Sequence, residues 1–291
     1  MGEKSLEITS IGVVGSGTMG HGIAQVAAMS GYSVTMYDVD RTYLDQAIER
    51  ISANLEKGVK LGKVEPRVRD DALAALSTTT ELSEAGRGAD LVIEAAPEDI
   101  ELKRDIFAQL DSASPPHAIL ASNTSSLSIA RIAEATQRPG QVLGMHFFNP
   151  VHMMKLLEIV RAELSEDRVV AAARGFGIAL GKTPIVVKDS PGFATSRLGL
   201  TLGLEAMRML DEGVATAEDI DIAMELGYGH PMGPFKLTDL VGLDVRLAIA
   251  EYMHRETGSE RFEPAETLKR LVAEGKLGKK SGEGFYKWDK E

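Results

Sequence analysis

Short apolar runs alternate with longer amphipathic stretches through the first two thirds of the chain. Residues 8–14 (Ile-Thr-Ser-Ile-Gly-Val-Val) read as a short buried strand running into glycines. The alanine-rich stretch from Met19 to Ser30 has helical spacing and stops at Gly31, a natural helix-ending residue. Ser33–Tyr37 reads as a second strand closing on Asp38. A helix is expected from Arg41 to about Leu61, followed by a charged stretch over Lys63–Asp71. Further strands are expected at Leu91–Ala95, Ile119–Ala121, Val142–Phe148, Leu156–Val160 and Pro184–Val187. Strands alternating with crossover helices imply an α/β fold with a doubly wound, mostly parallel sheet.

The period changes at Asp189-Ser190-Pro191-Gly192. Beyond it helical spacing dominates, at about 192–211, 216–226, 234–256 and 263–275. Two domains are therefore expected: residues 1–189, an α/β domain, and residues 190–291, an all-helical one. Leu198, Leu200, Leu202, Leu204, Met207, Met209 and Leu210 make a wide apolar stripe in the second. Burial against a second copy of the chain, giving a homodimer, is the expectation; packing within the domain's own core is the competing explanation.

Composition narrows the class. The 291 residues are 44% hydrophobic and 26% charged, ordinary values for a globular protein with a sizeable core. The net charge of −11 argues against nucleic acid as a partner, since phosphate backbones are bound by clustered cations. Without cysteine there is no disulfide, no thiolate metal ligand and no cysteine nucleophile, and no metal site is expected. The N-terminal residues lack the basic and apolar regions of a signal peptide, and no apolar run is long enough to cross a bilayer. A cytoplasmic protein without membrane contact is the expectation.

The first strand runs into Gly15-Ser16-Gly17-Thr18-Met19-Gly20, a G-x-G-x-x-G. Alone the pattern is weak, but here a strand precedes it, a helix follows, and Asp38 ends the next strand. That is the context of a Rossmann-like dinucleotide site. The glycines serve the tight turn, the approach of backbone to pyrophosphate, and close helix–strand packing. The helix N-terminus adds amide donors and partial positive charge. Asp38 can accept from the adenosine ribose hydroxyls and would repel a 2′-phosphate, so NAD is expected over NADP.

Downstream, His146-Phe147-Phe148-Asn149-Pro150 is followed by Lys155-Leu156-Leu157-Glu158. A short bend containing Asn-Pro can fold these apolar runs together, bringing His146 to Glu158. Imidazole exchanges protons near neutral pH, and a carboxylate on its second nitrogen fixes the tautomer and stabilises the cation. Without its context His146 would read as a satisfied core histidine. Glu158, ionisable in an apolar strand, needs a partner, and a structural ion pair is the alternative to catalysis. Beside a dinucleotide site, the pair suggests oxidation of an alcohol by hydride transfer, with His146 taking the hydroxyl proton. His21, His152, His230 and His254 lack an equally suggestive carboxylate and read as structural.

Taken with Ser122-Asn123-Thr124-Ser125-Ser126-Leu127, Pro191-Gly192-Phe193, Pro231-Met232-Gly233-Pro234-Phe235 and the closing Gly278–Tyr286 segment, these motifs span nearly the whole chain. In this order they closely resemble the short-chain L-3-hydroxyacyl-CoA dehydrogenase family, including the bacterial 3-hydroxybutyryl-CoA dehydrogenases. The resemblance implies His146 as general acid/base and Glu158 as its orienting partner. It also implies that Ser125 contacts the reacting oxygen and that Asn149 helps to fix His146 and the nicotinamide. Glu98, Lys103 and Asn123 fall at positions the family uses around the nicotinamide half of NAD. The implied substrate is a short-chain acyl-CoA. Its nucleotide end would lie on the arm carrying Lys57, Lys60, Lys63, Arg67 and Arg69, with Asn54 one helical turn before Lys57. A solvated basic helix face is the plainer reading of those residues.

One departure stands out. Where the family follows Pro-Gly-Phe with two residues and then Asn-Arg, this chain has Ala194-Thr195-Ser196-Arg197. Ser196 would meet substrate with a shorter donor, directly or through water. Two other functions compete: an NAD-dependent dehydrogenase of a free hydroxy acid or sugar acid, resembling L-gulonate dehydrogenase, and an NAD-binding protein without turnover.

Overall fold

The computed structural model describes residues 6–289. The chain divides into two compact units, residues 1–189 and 190–291. The first unit opens with β1 (Ser10–Val14), α1 (Gly20–Met29), β2 (Ser33–Tyr37), α2 (Arg41–Lys60), α3 (Pro66–Ala74) and β3 (Leu76–Thr79). It continues with α4 (Leu82–Gly86), β4 (Leu91–Glu94), α5 (Ile100–Ala113), β5 (Ile119–Ser122) and α6 (Ile129–Ala133). The last elements of this unit are β6 (Val142–Phe147), β7 (Leu156–Arg161), α7 (Asp167–Ala179) and β8 (Thr183–Lys188).

Eight strands form one sheet in the order β3-β2-β1-β4-β5-β6-β7-β8. Every neighbouring pair is parallel except β6 and β7. The chain winds outward from β1 to β3, then returns to the other side of β1 with β4, which creates the switch point where such sheets bind ligands. The central strands are covered on both faces and read as apolar runs closed by one polar residue: β4, Leu-Val-Ile-Glu, is wholly buried, as is β5, Ile-Leu-Ala-Ser. Helix α2 buries only Leu44, Ala47, Ile51 and Leu55, one stripe at helical spacing, and is capped by Asp40, whose carboxylate accepts from the Thr42 N–H at 2.7 Å.

The pattern of strands and helices agrees with the sequence reading, with three corrections. The charged stretch over Lys63–Asp71 leads into and largely overlaps α3, which buries only Ala72 and so shows no apolar stripe. Strand β3, Leu-Ser-Thr-Thr, is a polar edge strand and was not expected. The helix expected over 234–256 is two helices, broken at Gly242, where φ is +104° and a side chain would crowd Asp244 and Lys280.

The second unit holds α8 (Thr195–Asp211), α9 (Ala217–Tyr228), α10 (Pro234–Val241), α11 (Leu243–Thr257) and α12 (Glu266–Ala273). Much of the apolar stripe on α8 is internal. Leu200, Leu204 and Met207 pack in this unit's own core with Phe235, Leu243, Met253 and Phe262. Leu198 is the member of the stripe that stays outside, at 71% exposure. Two fully buried carboxylates pin the C-terminal segment to the helices. Asp221 accepts from the Tyr286 hydroxyl at 2.8 Å, and Asp239 accepts from the backbone N–H groups of Phe285 and Tyr286 and from the Trp288 indole. Burial, reinforced by Asp221, pushes the Tyr286 phenol well above its ordinary range.

Candidate active site

Three loops leave the same edge of the sheet, after the parallel strands β1, β4 and β5, and β6 ends beside them. Together they enclose a cleft of about 340 Å³ in the first unit, lined by Met19, Ala95, Ala96, Glu98, Asn123, Ser125, His146, Phe147, Phe148 and Asn149.

The loop after β1 has the form a dinucleotide needs. Gly15 adopts φ +91°, and a side chain on Gly20 would collide with the Gly15 carbonyl oxygen, so the turn closes tightly onto α1. A Cβ on Gly17 would meet nothing within 4 Å, which leaves that face of the loop open for a phosphate. Thr18 is exposed and Met19 precedes the first residue of α1. Asp38 reaches back to this loop: one carboxylate oxygen accepts from both the N–H and the hydroxyl of Ser16, at 2.8 and 2.7 Å, and the other from the Val39 N–H at 2.8 Å. With several lone pairs per carboxylate, Asp38 can still accept from a ribose while it holds the glycine loop. The residues present therefore fit an NAD-type cofactor.

His146 and Glu158 face one another across the antiparallel β6–β7 pair, in direct register. His146 Nδ1 lies 2.7 Å from Glu158 Oε2, with Glu158 fully buried and the imidazole 7% exposed. Because a carboxylate only accepts, Nδ1 carries the hydrogen of this bond. The ring also packs on Phe148, with centroids 4.4 Å apart. Asn123 terminates β6 by accepting from the Phe147 N–H at 2.9 Å, so this residue shapes the turn that leads to Asn149.

Ser125 sits on the loop after β5, and Glu98 organises that loop. Glu98 Oε1 accepts from the Thr124 hydroxyl at 2.5 Å and the Ser125 N–H at 3.1 Å, with the Ser126 and Ser125 hydroxyls at 3.3 and 3.5 Å. Lys103 lies below the cleft and does not line it. It is 1% exposed and paired with Glu94 at 2.6 Å. Glu94 is a residue the sequence reading missed; an ionisable side chain inside Leu-Val-Ile-Glu carries the same signal as Glu158 does in its own strand.

The remaining residues fall elsewhere. Asn54 donates to Gln25 at 3.3 Å, tying α2 to α1. Lys57 and Lys60 are exposed in the last turns of α2. His152, read above as structural like His21, stands in the field of a cluster of basic groups: Lys182, His21 and Lys57. Partial burial pushes His152 below the ordinary imidazole range, and the positive fields of Lys182, His21 and Lys57 push it the same way. Ser196 is half-buried in the first turn of α8, in the second unit. Among the described residues, no three His, Asp or Glu side chains are grouped to hold a metal ion. No described helix is long and apolar enough to cross a membrane.

Residues 10–190 match the 3-hydroxyacyl-CoA dehydrogenase NAD binding domain, and residues 192–288 match the C-terminal domain of the same family. A 3-hydroxybutyryl-CoA dehydrogenase of Mycobacterium tuberculosis is 44% identical over 281 residues, covering 96% of this chain and 98% of that protein. The mitochondrial hydroxyacyl-coenzyme A dehydrogenase of Mus musculus is 42% identical over 291 residues, covering 98% and 93%. Among solved structures, the (S)-3-hydroxybutyryl-CoA dehydrogenase of Ralstonia eutropha superposes with a TM-score of 0.94 at 39% identity, covering 98% of this chain and all of that one.

Proposed function

Because the chain belongs to the 3-hydroxyacyl-CoA dehydrogenase family, we propose that it catalyses the reversible, NAD-dependent oxidation of a short-chain (S)-3-hydroxyacyl-CoA to the 3-ketoacyl-CoA, with 3-hydroxybutyryl-CoA as the representative substrate. The observation that carries this reading is the 2.7 Å His146–Glu158 pair on the wall of a cleft shared with Asn123, Ser125 and Asn149.

When bound, NAD supplies the hydride acceptor. The protein supplies alignment and proton management. With Nδ1 committed to Glu158, proton exchange with the substrate hydroxyl falls to His146 Nε2, and Glu158 stabilises the imidazolium that results. Ser125 donates to the same substrate oxygen as it becomes a carbonyl, or to the developing alkoxide in the reverse direction. Asn149 holds the nicotinamide against His146. Asp38 and the Gly15–Gly20 loop take the adenosine ribose and pyrophosphate, and the ribose contact favours NAD over NADP. Lys57 and Lys182 near His152, with Asn54 and Lys60 along α2, provide a positive surface for the nucleotide end of coenzyme A. Ser196 is assigned to the thioester end of the substrate.

The deciding experiment is NADH oxidation against acetoacetyl-CoA, longer 3-ketoacyl-CoAs and free acetoacetate. Turnover of the short CoA thioester in preference to the free acid is expected. Preference for the free acid would overturn the substrate assignment.

A homodimer is also proposed, through the second unit. Leu198, Leu226 and Tyr228 are exposed there at 71%, 82% and 79%, large apolar side chains of the kind that association between copies would cover. A monomeric mass at micromolar concentration in analytical ultracentrifugation would remove this assignment. A cytoplasmic setting is proposed as well, to be checked by fractionation of the source cells, since one relative named above is mitochondrial.

A further inference from the structure

The helical unit holds a cation that nothing in it neutralises. Arg246, in the first turn of α11, is 8% exposed, and its Nε has no hydrogen-bond partner. Among the described residues no carboxylate pairs with its guanidinium. Burial alone pushes the group below the ordinary guanidinium range. The acidic side chains closest in sequence are committed elsewhere, Asp244 to Lys280 at 2.7 Å and Asp239 to the C-terminal segment. A buried charge is costly unless it is paired, so this one calls for an anion that arrives from outside the unit.

The guanidinium is aimed at a bare stretch of α8. Ser196, Gly199 and Gly203 recur at i, i+3 and i+7 and so share one face of that helix. Beyond the helix itself, a side chain on Gly199 would meet only Arg246 Nη1, at 3.7 Å, and one on Gly203 only the Thr238 hydroxyl, at 3.5 Å. Thr238 is fully buried, and its hydroxyl is likewise without a partner. Two unsatisfied polar groups therefore face the two glycines, where the lack of side chains leaves α8 uncovered.

We propose that Arg246 and Thr238 form a carboxylate subsite that selects acyl-CoA substrates whose acyl chain ends in a second carboxylate. The inference rests on the activity and on the Ser196 assignment proposed above. The nucleotide end of coenzyme A is assigned to Lys57 and Lys182, which leaves the acyl end for α8. Gly199 lies about 4.5 Å along the helix axis from Ser196. A short acyl chain leaving the thioester at Ser196 brings its far end to Arg246. The planar guanidinium takes a carboxylate through two parallel N–H···O bonds, and the Thr238 hydroxyl can donate a third. An acyl chain without that carboxylate lays methyl and methylene groups against the charge and leaves it unpaired.

The test compares substrates matched in chain length. With NADH, kcat/KM for 3-ketoadipyl-CoA should exceed that for 3-ketohexanoyl-CoA by roughly 10- to 100-fold, the factor expected of hydrogen bonds to a charged group. In Arg246→Met the ratio should fall to about one or below, and Arg246→Lys, which keeps the charge without the fork, should fall between. Calorimetric binding of adipyl-CoA against hexanoyl-CoA, with NAD present, reads the same preference without turnover. Equal handling of the two acyl chains by the wild type would overturn the proposal, as would an unchanged ratio in Arg246→Met. Loss of self-association in Arg246→Met with the ratio unchanged would do so too, since the missing anion would then be a carboxylate of a second copy. If Arg246→Met does not fold, Thr238→Val decides: it keeps the charge, deletes one donor, and should lower the same ratio. No turnover of any CoA thioester, with adipyl-CoA still bound in preference to hexanoyl-CoA, would count against the proposed activity and not against the subsite.

Discussion

Ser16 is bound to Asp38 twice, through its backbone N–H at 2.8 Å and its hydroxyl at 2.7 Å. The carboxylate that is expected to meet the adenosine ribose therefore also shapes the glycine loop that is expected to meet the pyrophosphate. Asp38→Ala should weaken NADH binding by more than the loss of a ribose contact would. Hydrogen bonds to a charged group contribute about 1.5–3 kcal/mol, so roughly 10- to 100-fold in Kd is expected. The gap to NADPH should narrow, as repulsion of a 2′-phosphate is relieved. Fluorescence titration with both nucleotides measures this, and unchanged NADH affinity would contradict the role.

His146→Gln should lower kcat by about 10²–10⁴-fold, the usual contribution of a general acid–base group, while NADH affinity stays within a few-fold. Glu158→Gln keeps a hydrogen-bond acceptor but removes the charge that stabilises the imidazolium, so kcat should fall here also. Steady-state kinetics with acetoacetyl-CoA, paired with NADH titration, separates the two effects. Near-normal turnover of His146→Gln would end the assignment.

His152 gives a pH dependence with a definite sign. Its pKa in the folded protein lies below the ordinary value, first through partial burial and then through Lys182, His21 and Lys57. Between the folded and unfolded pKa values the unfolded chain binds more protons, so this residue's contribution to stability is present above the unfolded value of about 6.5 and declines as pH falls below it. Denaturation curves of His152→Gln should show a smaller loss through that window. A phosphate group seated on the cluster would favour the charged imidazole, so acyl-CoA should bind more tightly as pH falls through the same range. The absence of both effects would mean that the cluster is not formed in solution.

Ser196 tests the chain's departure from its family. Ser196→Ala should cost about 0.5–1.5 kcal/mol in kcat/KM if the hydroxyl meets the thioester. Ser196→Asn should alter KM or chain-length preference with little change in NADH affinity. Identical kinetics in both variants would show that substrate is held without this position.

The residues readable from the sequence are those whose surroundings contradict their chemistry. His146 and Glu158 stood out as ionisable groups inside apolar runs, and the Asn-Pro bend between them fitted a hairpin. Glu94 sits in an equally apolar run, but its partner Lys103 looks in sequence like an ordinary helix cation; only the turn between β4 and α5 folds one over the other. Helix α3 and strand β3 were obscured because they bury so little that no hydrophobic period marks them. The break at Gly242 lay hidden in a continuous helical pattern on either side of it. On α8 the apolar residues were evident, but which of them face inward depends on Phe235, Leu243 and Phe262 from later in the chain.

The reversal of direction between β6 and β7 separates two kinds of variation. The alignment of His146 with Glu158 is held by the ladder on one side and by β8 on the other, where Glu158 stands level with Ile185. The segment joining the two strands, residues 148–155, keeps Phe148 and Asn149 in the cleft and carries its other members outside the cleft lining. Its exposed members His152, Met153 and Met154 can therefore differ between enzymes of this kind without disturbing proton transfer. Those outer positions are where selectivity can drift while the chemistry stays in place, which makes Met153 and Met154, rather than Phe148 and Asn149, the natural residues to randomise in a search for variants with altered substrate range.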